Sequence, residues 1–354
     1  MADATPPATM RLFGANGSPY SVKVRSYLRY KRIPHEWLVR NSAERMQEHQ
    51  KYAKLPLVPT LVTPDGEGLQ DSTPIMEEME KRFPERSIHP PGAVSKFISE
   101  LLEEFGDEWG NKWMMHLRWY SSSSALSSEV FARRAAAEFC SGSPDADAMT
   151  AVAKSFKERM QQRSFTVGSN STTAPIIEKS YMETLQLLEK HLSDRPFLFG
   201  QSPALADFGL SGQLLQCFGD VLAGELMRMH APRVALWCEV MANPQPEGDF
   251  EEWKTLAPTL EPLIASQVKL FLRWSDANAK ALQSGQKDFV VDLGGQMWSQ
   301  SVGGPQRYHA KSLKELRRKF AAVPSGAERQ ELEAILQRCG CLELLTAEAE
   351  PAKL

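Results

Sequence analysis

Three short motifs in the first eighty residues combine residue types that can hold a charged, peptide-like ligand. Ser18-Pro19-Tyr20-Ser21 places a serine just before a helix-starting proline. At a helix N-terminus the backbone N–H groups point outward and the dipole is positive. A thiolate placed there is stabilised, so the pKa of its thiol falls. The Ser18 hydroxyl can donate a hydrogen bond to such a thiolate without ionising itself. The plainer reading is a helix cap and no more. Leu57-Val58-Pro59 precedes a strand. A cis bond between Val58 and Pro59 would leave the Val58 N–H and C=O free to pair with an extended ligand; otherwise Pro59 is an edge-strand proline. Gln70-Asp71-Ser72-Thr73 opens a further helix. Ser72 is expected as its cap. The same N-terminus can take a ligand carboxylate, and Asp71 can take an ammonium group; the alternative is a cap with a dipole-friendly acid.

The elements around these motifs follow from pattern. Met10–Phe13 reads as a strand that stops at the loop cluster Gly14–Gly17. A helix from Pro19 ends before Pro34, and His35–Arg40 is a second strand. Ala43–Tyr52 favours helix, Pro59–Val62 is a third strand, and Pro64-Asp-Gly66 turns into a fourth at Leu69. Thr73–Phe83 is a helix with Ile75, Met79 and Phe83 on one face. The order is β-α-β-α-β-β-α. After Pro90-Pro91-Gly92 the pattern turns helical up to Ala257, with surface loops expected at Ser121–Ser128 and Phe165–Thr173. From Pro258 onward the expectation is a helix over Pro262–Leu282, a hairpin of Asp288–Leu293 and Met297–Val302 around Gly294-Gly295, and amphipathic helices over Tyr308–Val323 and Glu328–Gln337. The predicted units are a loose tail (1–9), an α/β unit (10–90), a helical unit (91–257) and an α+β extension (258–354).

In that order and spacing the three motifs resemble the glutathione transferase superfamily. Ser18-Pro-Tyr-Ser21 is similar to the glutaredoxin Cys-Pro-Tyr-Cys with both sulfurs replaced by oxygen, and to the start of serine-type glutathione transferases. Leu69-Gln-Asp-Ser-Thr-Pro-Ile75 matches the stretch that binds the γ-glutamyl group. Phe197-Leu-Phe-Gly200 with Pro203-Ala-Leu-Ala-Asp-Phe208 resembles the signature of the all-helical C-terminal domain, where the residue at Asp207 folds back as a capping box. The resemblance spans roughly 10–243 and is nearest to a long bacterial-type group. It implies a thioredoxin-like N-terminal domain and an all-α C-terminal domain. It also implies glutathione as co-substrate, Ser18 as the catalytic serine, Val58 and Pro59 beside the cysteinyl part, and Asp71 and Ser72 at the γ-glutamyl part. A small hydrophobic electrophile and a homodimer belong to the same implication. Two positions depart from the pattern. Leu57 stands where a basic residue is frequent, with Lys54 as a substitute for the glycyl carboxylate. Ala204 stands at the cap where Ser or Thr is usual, a loss of about 1 kcal/mol.

Downstream, Asp107-Glu-Trp109, Trp113, His116, Arg118, Trp119 and Tyr120 crowd one stretch. Trp109, Trp113 and His116 fall at i, i+4 and i+7, one helical stripe. They read equally as an electrophile pocket opposite Ser18, with Tyr20 at its edge and His116 or Arg118 as electrostatic helper, or as a core stripe with a hydrogen-bonded histidine.

Composition bounds the rest. The 354 residues carry 41 Lys plus Arg against 44 Asp plus Glu, a net charge of −3. That balance gives no general pull toward nucleic acid or membrane surfaces. Hydrophobic residues make up 42%, yet no run approaches the roughly 18 apolar residues of a membrane helix. With no secretory leader pattern, a cytoplasmic protein is expected. The five cysteines show no metal spacing, so no metal is expected. Cys339 and Cys341 read as packing, with a redox pair as the alternative. No phosphate loop, HExxH, GxSxG or dinucleotide fingerprint is present. The leading expectation is a glutathione transferase. The alternative is a binding or scaffold protein of the same fold with little turnover.

Overall fold

The computed structural model describes residues 9–140, 145–246 and 248–347. Residues 1–8 of the predicted tail lie outside them. The first unit is a four-stranded sheet in the order β2-β1-β3-β4. Strand β1 (Met10–Phe13) pairs parallel with β2 (His35–Leu38) across helix α1 (Pro19–Tyr30). It pairs antiparallel with β3 (Thr60–Val62), which pairs with β4 (Gly68–Gln70). Helix α2 (Ala43–Gln50) lies between β2 and β3, and α3 (Ser72–Arg82) follows β4. This is the predicted β-α-β-α-β-β-α order.

Helix α4 (Ala93–Met115) runs on through a wider π turn, His116–Tyr120. Helices α5 (Ala125–Phe139), α6 (Ala146–Gln162), α7 (Ala174–His191), α8 (Leu205–Gly219), α9 (Val221–His230) and α10 (Pro232–Met241) complete the helical unit. Its axis is the α4–α8 crossing, which is close because glycines face it. A Cβ on Gly106 would lie 2.7 Å from the Leu210 backbone nitrogen, and one on Gly209 would lie 2.8 Å from Glu103 Cα. The loop before α8 is held by Asp207, which accepts from the backbone N–H of Ala204 and of Leu198, both at 2.9 Å, and from Trp237 Nε1 at 3.1 Å. One half of the capping box therefore persists although Ala204 has no hydroxyl to give.

The predicted boundary at 257 falls inside a helix. Helix α11 (Trp253–Leu263) begins well before Pro262 and continues through a π turn, Ile264–Val268, into α12 (Lys269–Gln283). Trp253, Leu256, Leu260 and Leu263 share its buried face. Pro258 and Pro262 are both internal. Each removes a backbone N–H and crowds the preceding turn, yet α11 keeps its buried face through both and runs on into the π turn. Strands β5 (Asp288–Asp292) and β6 (Met297–Ser301) form the expected hairpin, with Gly294 and Gly295 at φ of 75° and 88°. Helices α13 (Gly304–Ala321), α14 (Ala327–Arg338) and α15 (Leu342–Thr346) follow.

The extension does not have a separate core. Trp109 of α4 packs against Trp274 of α12 and Trp298 of β6, with ring centroids 6.0 and 5.5 Å apart. Phe97 of α4 meets Phe320 of α13 at 5.2 Å. The stretch Phe165–Thr173 is likewise more than a surface loop. Ser169 and Thr173 are buried, and Asn170 donates to the Ser299 carbonyl of the hairpin. The Ser-rich loop is also shorter than expected, because α5 already starts at Ala125. Among the described residues no helix is long and apolar enough to cross a membrane.

Candidate functional site

The loop 14–18 delivers Ser18 to the N-terminus of α1. Ser18 is the N-cap, with extended backbone angles, and its Oγ accepts from the Ser21 N–H at 3.3 Å. Pro19 follows with its φ preset for a first helical turn. Behind the loop, Gln216 of α8 donates to the Asn16 carbonyl at 2.8 Å. The Gln216 carbonyl takes an N–H of Arg118, whose Nε in turn donates to both oxygens of Asp220 at 2.8 and 2.9 Å. Arg118 is thus spent on a buried ion pair that supports the loop from behind. Its guanidinium lies 3.6 Å from the centre of the Phe131 ring. The tip of Phe131 comes so near Gly17 that a Cβ there would stand 2.5 Å away. Phe131 of α5 therefore packs on the loop at Gly17, as Trp37 does at Gly14.

The Val58–Pro59 bond is cis. The Val58 N–H and C=O have no hydrogen-bond partner among the described residues. The loop ahead of them is fixed by Gln70, whose side chain receives the Leu55 N–H and donates to the Leu55 and Leu57 carbonyls. Leu57 is exposed, as is Lys54. Buried His49 completes the support by reaching the Leu57 carbonyl and Thr60 Oγ1, at 3.1 and 3.0 Å.

At α3 the cap differs from the sequence expectation. Asp71, at φ 83°, occupies the N-cap position without a side-chain cap bond, and Ser72 is the first helical residue. The Asp71 carboxylate has the Ser72 N–H, Tyr308 and Lys23 around it. Ser72 is buried and its hydroxyl makes no hydrogen bond to the described residues. Asp71 accepts a hydrogen bond from Tyr308 of α13. Burial pushes the Asp71 carboxyl up, while the Tyr308 hydrogen bond and the nearby Lys23 pull it back down.

Helix α4 closes the far side with acids at Glu100, Glu103, Glu104, Asp107 and Glu108, a spacing that puts all of them on one face. Each has a cationic or hydroxyl neighbour from another element. Lys23 of α1 donates to Glu103, to Asp107 at 2.6 Å and to Thr73 of α3 at 3.1 Å. Burial would lower the Lys23 pKa, and Asp107 and Glu103 outweigh it and raise it. His309 of α13 pairs with Glu108. Burial alone would raise the Glu108 carboxyl, and His309 holds it below the usual range. Ser312 bonds Glu104. Lys319 and Lys96 stand beside Glu100, which lies with Glu77 and His89 in the one three-residue group of possible ligand atoms within 4.8 Å among the described residues. Tyr20 donates to the Asp107 carbonyl at 3.1 Å and takes a bond from Asn111 at 3.4 Å, so its hydroxyl faces α4.

The aromatic stripe lies elsewhere than the pocket reading expects. Trp109, Trp113 and His116 are each at 0% exposure. Both indole N–H groups donate to Ser180 Oγ of α7, at 2.8 and 3.2 Å. His116 is held by Ser169 at 2.7 Å and Glu178 at 3.1 Å, and burial lowers its pKa. Every polar atom of the stripe is used inside the core. Cys339 and Cys341 are buried free thiols whose pKa values burial pushes up to about 11 and about 12. Such thiols are inert rather than redox-active.

Sequence reasoning missed Lys23, the acid row on α4, Phe131 and Tyr308. The acid row carried a readable i, i+3, i+4, i+7, i+8 spacing. Tyr308 carried no local signal, being 237 residues from Asp71.

A β-α-β-α-β-β-α sheet with a cis proline before β3 and open helix N-termini, joined to an all-α unit, defines a thioredoxin-fold binding domain with a helical partner. A family model for the glutathione S-transferase N-terminal domain matches residues 12–87, and one for the glutathione S-transferase C-terminal domain matches residues 147–239. The chain belongs to the glutathione transferase superfamily. None of the curated proteins compared with the chain matches it. Solved structures similar to it include a glutathione transferase from Methylobacterium radiotolerans in complex with glutathione sulfonate, at 20% identity and a TM-score of 0.40, over 71% of this chain and 94% of that one. A beta-etherase from Sphingobium is 16% identical at a TM-score of 0.44, over 72% and 99%. A Tau class glutathione transferase from mango, Mangifera indica, is 18% identical at a TM-score of 0.37, over 72% and 98%.

Proposed function

We propose that the protein is a serine-type glutathione transferase. The observation that carries this reading is a set of polar groups with no hydrogen-bond partner among the described residues, the Val58 N–H and C=O and the Ser72 hydroxyl, on the same sheet edge as the α1 N-terminus at Ser18. A native fold pairs almost all its backbone groups, so an unused pair beside an unused hydroxyl fits an extended peptide ligand. Glutathione would lie with its γ-glutamyl end at Asp71 and Ser72, its cysteinyl part along Val58 and Pro59, and its glycyl carboxylate toward Lys54. Its sulfur would sit at Ser18, where the hydroxyl and the helix dipole favour the thiolate. The thiolate would attack a small hydrophobic electrophile, forming a carbon–sulfur bond while the leaving group departs with its electron pair. Phe131, which packs on the loop at Gly17, and Tyr20 would flank that electrophile. A homodimer and a cytoplasmic place of action belong to the same reading, and the mass in solution tests the first.

Calorimetric titration with glutathione, repeated on Ser18→Ala and Ser72→Ala, tests the assignment. The expected result is binding by the parent protein, weakened about tenfold on Ser72→Ala and retained on Ser18→Ala, with turnover of an aryl halide lost on Ser18→Ala. Absence of glutathione binding by the parent protein overturns the reading. A second reading, binding without turnover, draws on one observation: exposed Leu57 stands where a basic residue is frequent in the family. Glutathione bound with no turnover of any aryl halide would favour it.

A further inference from the structure

We infer that the C-terminal extension completes the glutathione site, with Tyr308 as the positioning residue for Asp71. The inference rests on the glutathione reading above and extends it to α13. The Tyr308 hydroxyl donates to Asp71 Oδ2. A carboxylate offers about four lone-pair sites over two oxygens, so one oxygen engaged by a phenol leaves the other for an ammonium group. Asp71 is otherwise poorly supported for that task. It caps no N–H with its side chain, and its backbone sits at φ 83°.

Helix α13 is anchored on both sides of Tyr308. Gln306 is buried, donates to the Thr166 carbonyl at 2.8 Å, and its own carbonyl takes the Asn278 side chain at 2.9 Å. His309 is buried against Glu108, and Ser312 reaches Glu104. Tyr308 between them is half exposed. A pinned helix presenting one half-exposed phenol to a carboxylate is a geometry that orients that carboxylate rather than filling a core.

The groups facing Asp71 come from three elements. Lys23 and Tyr20 approach from α1, Glu108 from α4 with His309 behind it, and Tyr308 from α13; the Ser72 N–H is its own chain neighbour. Burial and Glu108 both favour the protonated, neutral acid at Asp71. Tyr308 and Lys23 oppose them and pull the Asp71 pKa part of the way back down, which favours the charged carboxylate. A neutral acid would bind an ammonium group poorly.

The test is Tyr308→Phe, which keeps the ring and removes only the donor. Kinetics and calorimetry are run with glutathione and with its analogue lacking the γ-glutamyl amino group. The expected result is a KM for glutathione raised about tenfold with kcat within about twofold, the pattern of lost ground-state binding. The analogue's affinity stays the same in parent and variant, because it has no ammonium for Asp71. The KM of the variant also climbs as pH falls from about 7 to 5, while that of the parent protein rises less, since the variant's Asp71 takes up its proton at higher pH. A merely structural role would weaken both ligands alike and leave the pH profiles parallel; that result overturns the inference. So does equal or tighter glutathione binding by the variant. Failure of the parent protein to bind glutathione overturns the glutathione reading together with this one, which separates the two failures.

Discussion

Two faces of this molecule carry clustered polar and aromatic side chains, and they are used in opposite ways. On the Ser18–Val58–Ser72 edge, the Val58 N–H and C=O and the Ser72 hydroxyl have no hydrogen-bond partner among the described residues, although Val58 is partly and Ser72 wholly buried. On the Trp109–Trp113–His116 stripe every polar atom is bonded inside the core. A buried polar group left alone costs about 1–3 kcal/mol. A ligand on the Ser18–Val58–Ser72 edge would relieve that cost, as the proposed glutathione site requires, whereas the stripe is already satisfied by its own core partners.

The sharpest way to break this contrast is at the crossing that supports both faces. Gly209→Ala would put a Cβ 2.7 Å from Glu103 Cγ and force α4 from α8. Backbone separation of this kind exceeds the usual 1–3 kcal/mol of overpacking. A large fall in the urea unfolding midpoint is therefore expected, with loss of the Lys23–Glu103 pair and of glutathione binding. An unchanged midpoint would show that the crossing is not tight. Next comes Trp113→Ala, expected to cost about 3–5 kcal/mol of stability. Its folded fraction should bind glutathione as the parent does, and a variant that stays stable but loses the ligand would make the stripe a site after all.

Ser72→Ala should do the reverse. Glutathione affinity should fall about tenfold, since a hydrogen bond to a charged group contributes about 1.5–3 kcal/mol, while the unfolding midpoint hardly moves. The smallest effect concerns His116→Gln. Burial lowers the His116 pKa, so the unfolded chain takes up the proton first. The stability that this histidine contributes is therefore full above its unfolded pKa of ~6.5 and declines as pH falls through that value. Unfolding midpoints at pH 7.5 and 6 should converge slightly in the variant relative to the parent, with no change in the pH profile of turnover.

Much of the first unit was legible because its signals are local. Ser18-Pro19 fixes a helix start through a cap and a preset φ, and Gly294-Gly295 fixes a hairpin through positive φ. The expected cap at Ser72 was displaced by one residue because Asp71 takes up the left-handed turn. The expected boundary at 257 falls inside α11 because Pro258 and Pro262 look like helix breakers, whereas the helix carries both and keeps one buried face of Trp253, Leu256, Leu260 and Leu263. The aromatic stripe could not be assigned from spacing, since i, i+4 and i+7 is equally the signature of a pocket wall and of a core.

By itself, the amino-acid sequence determined the β-α-β-α-β-β-α order, the cis-proline position and the helix N-termini at Ser18 and near Ser72, because caps, prolines and short-range periodicity act within a few residues. Only the tertiary structure decided which polar groups remain unspent, which acids on α4 meet Lys23, and that Tyr308 reaches Asp71. Those contacts of Lys23 and Tyr308 join residues 80 to 237 positions apart. What sets them is how α4, α8 and α13 pack around one shared core, and that packing is invisible to any short window of the chain.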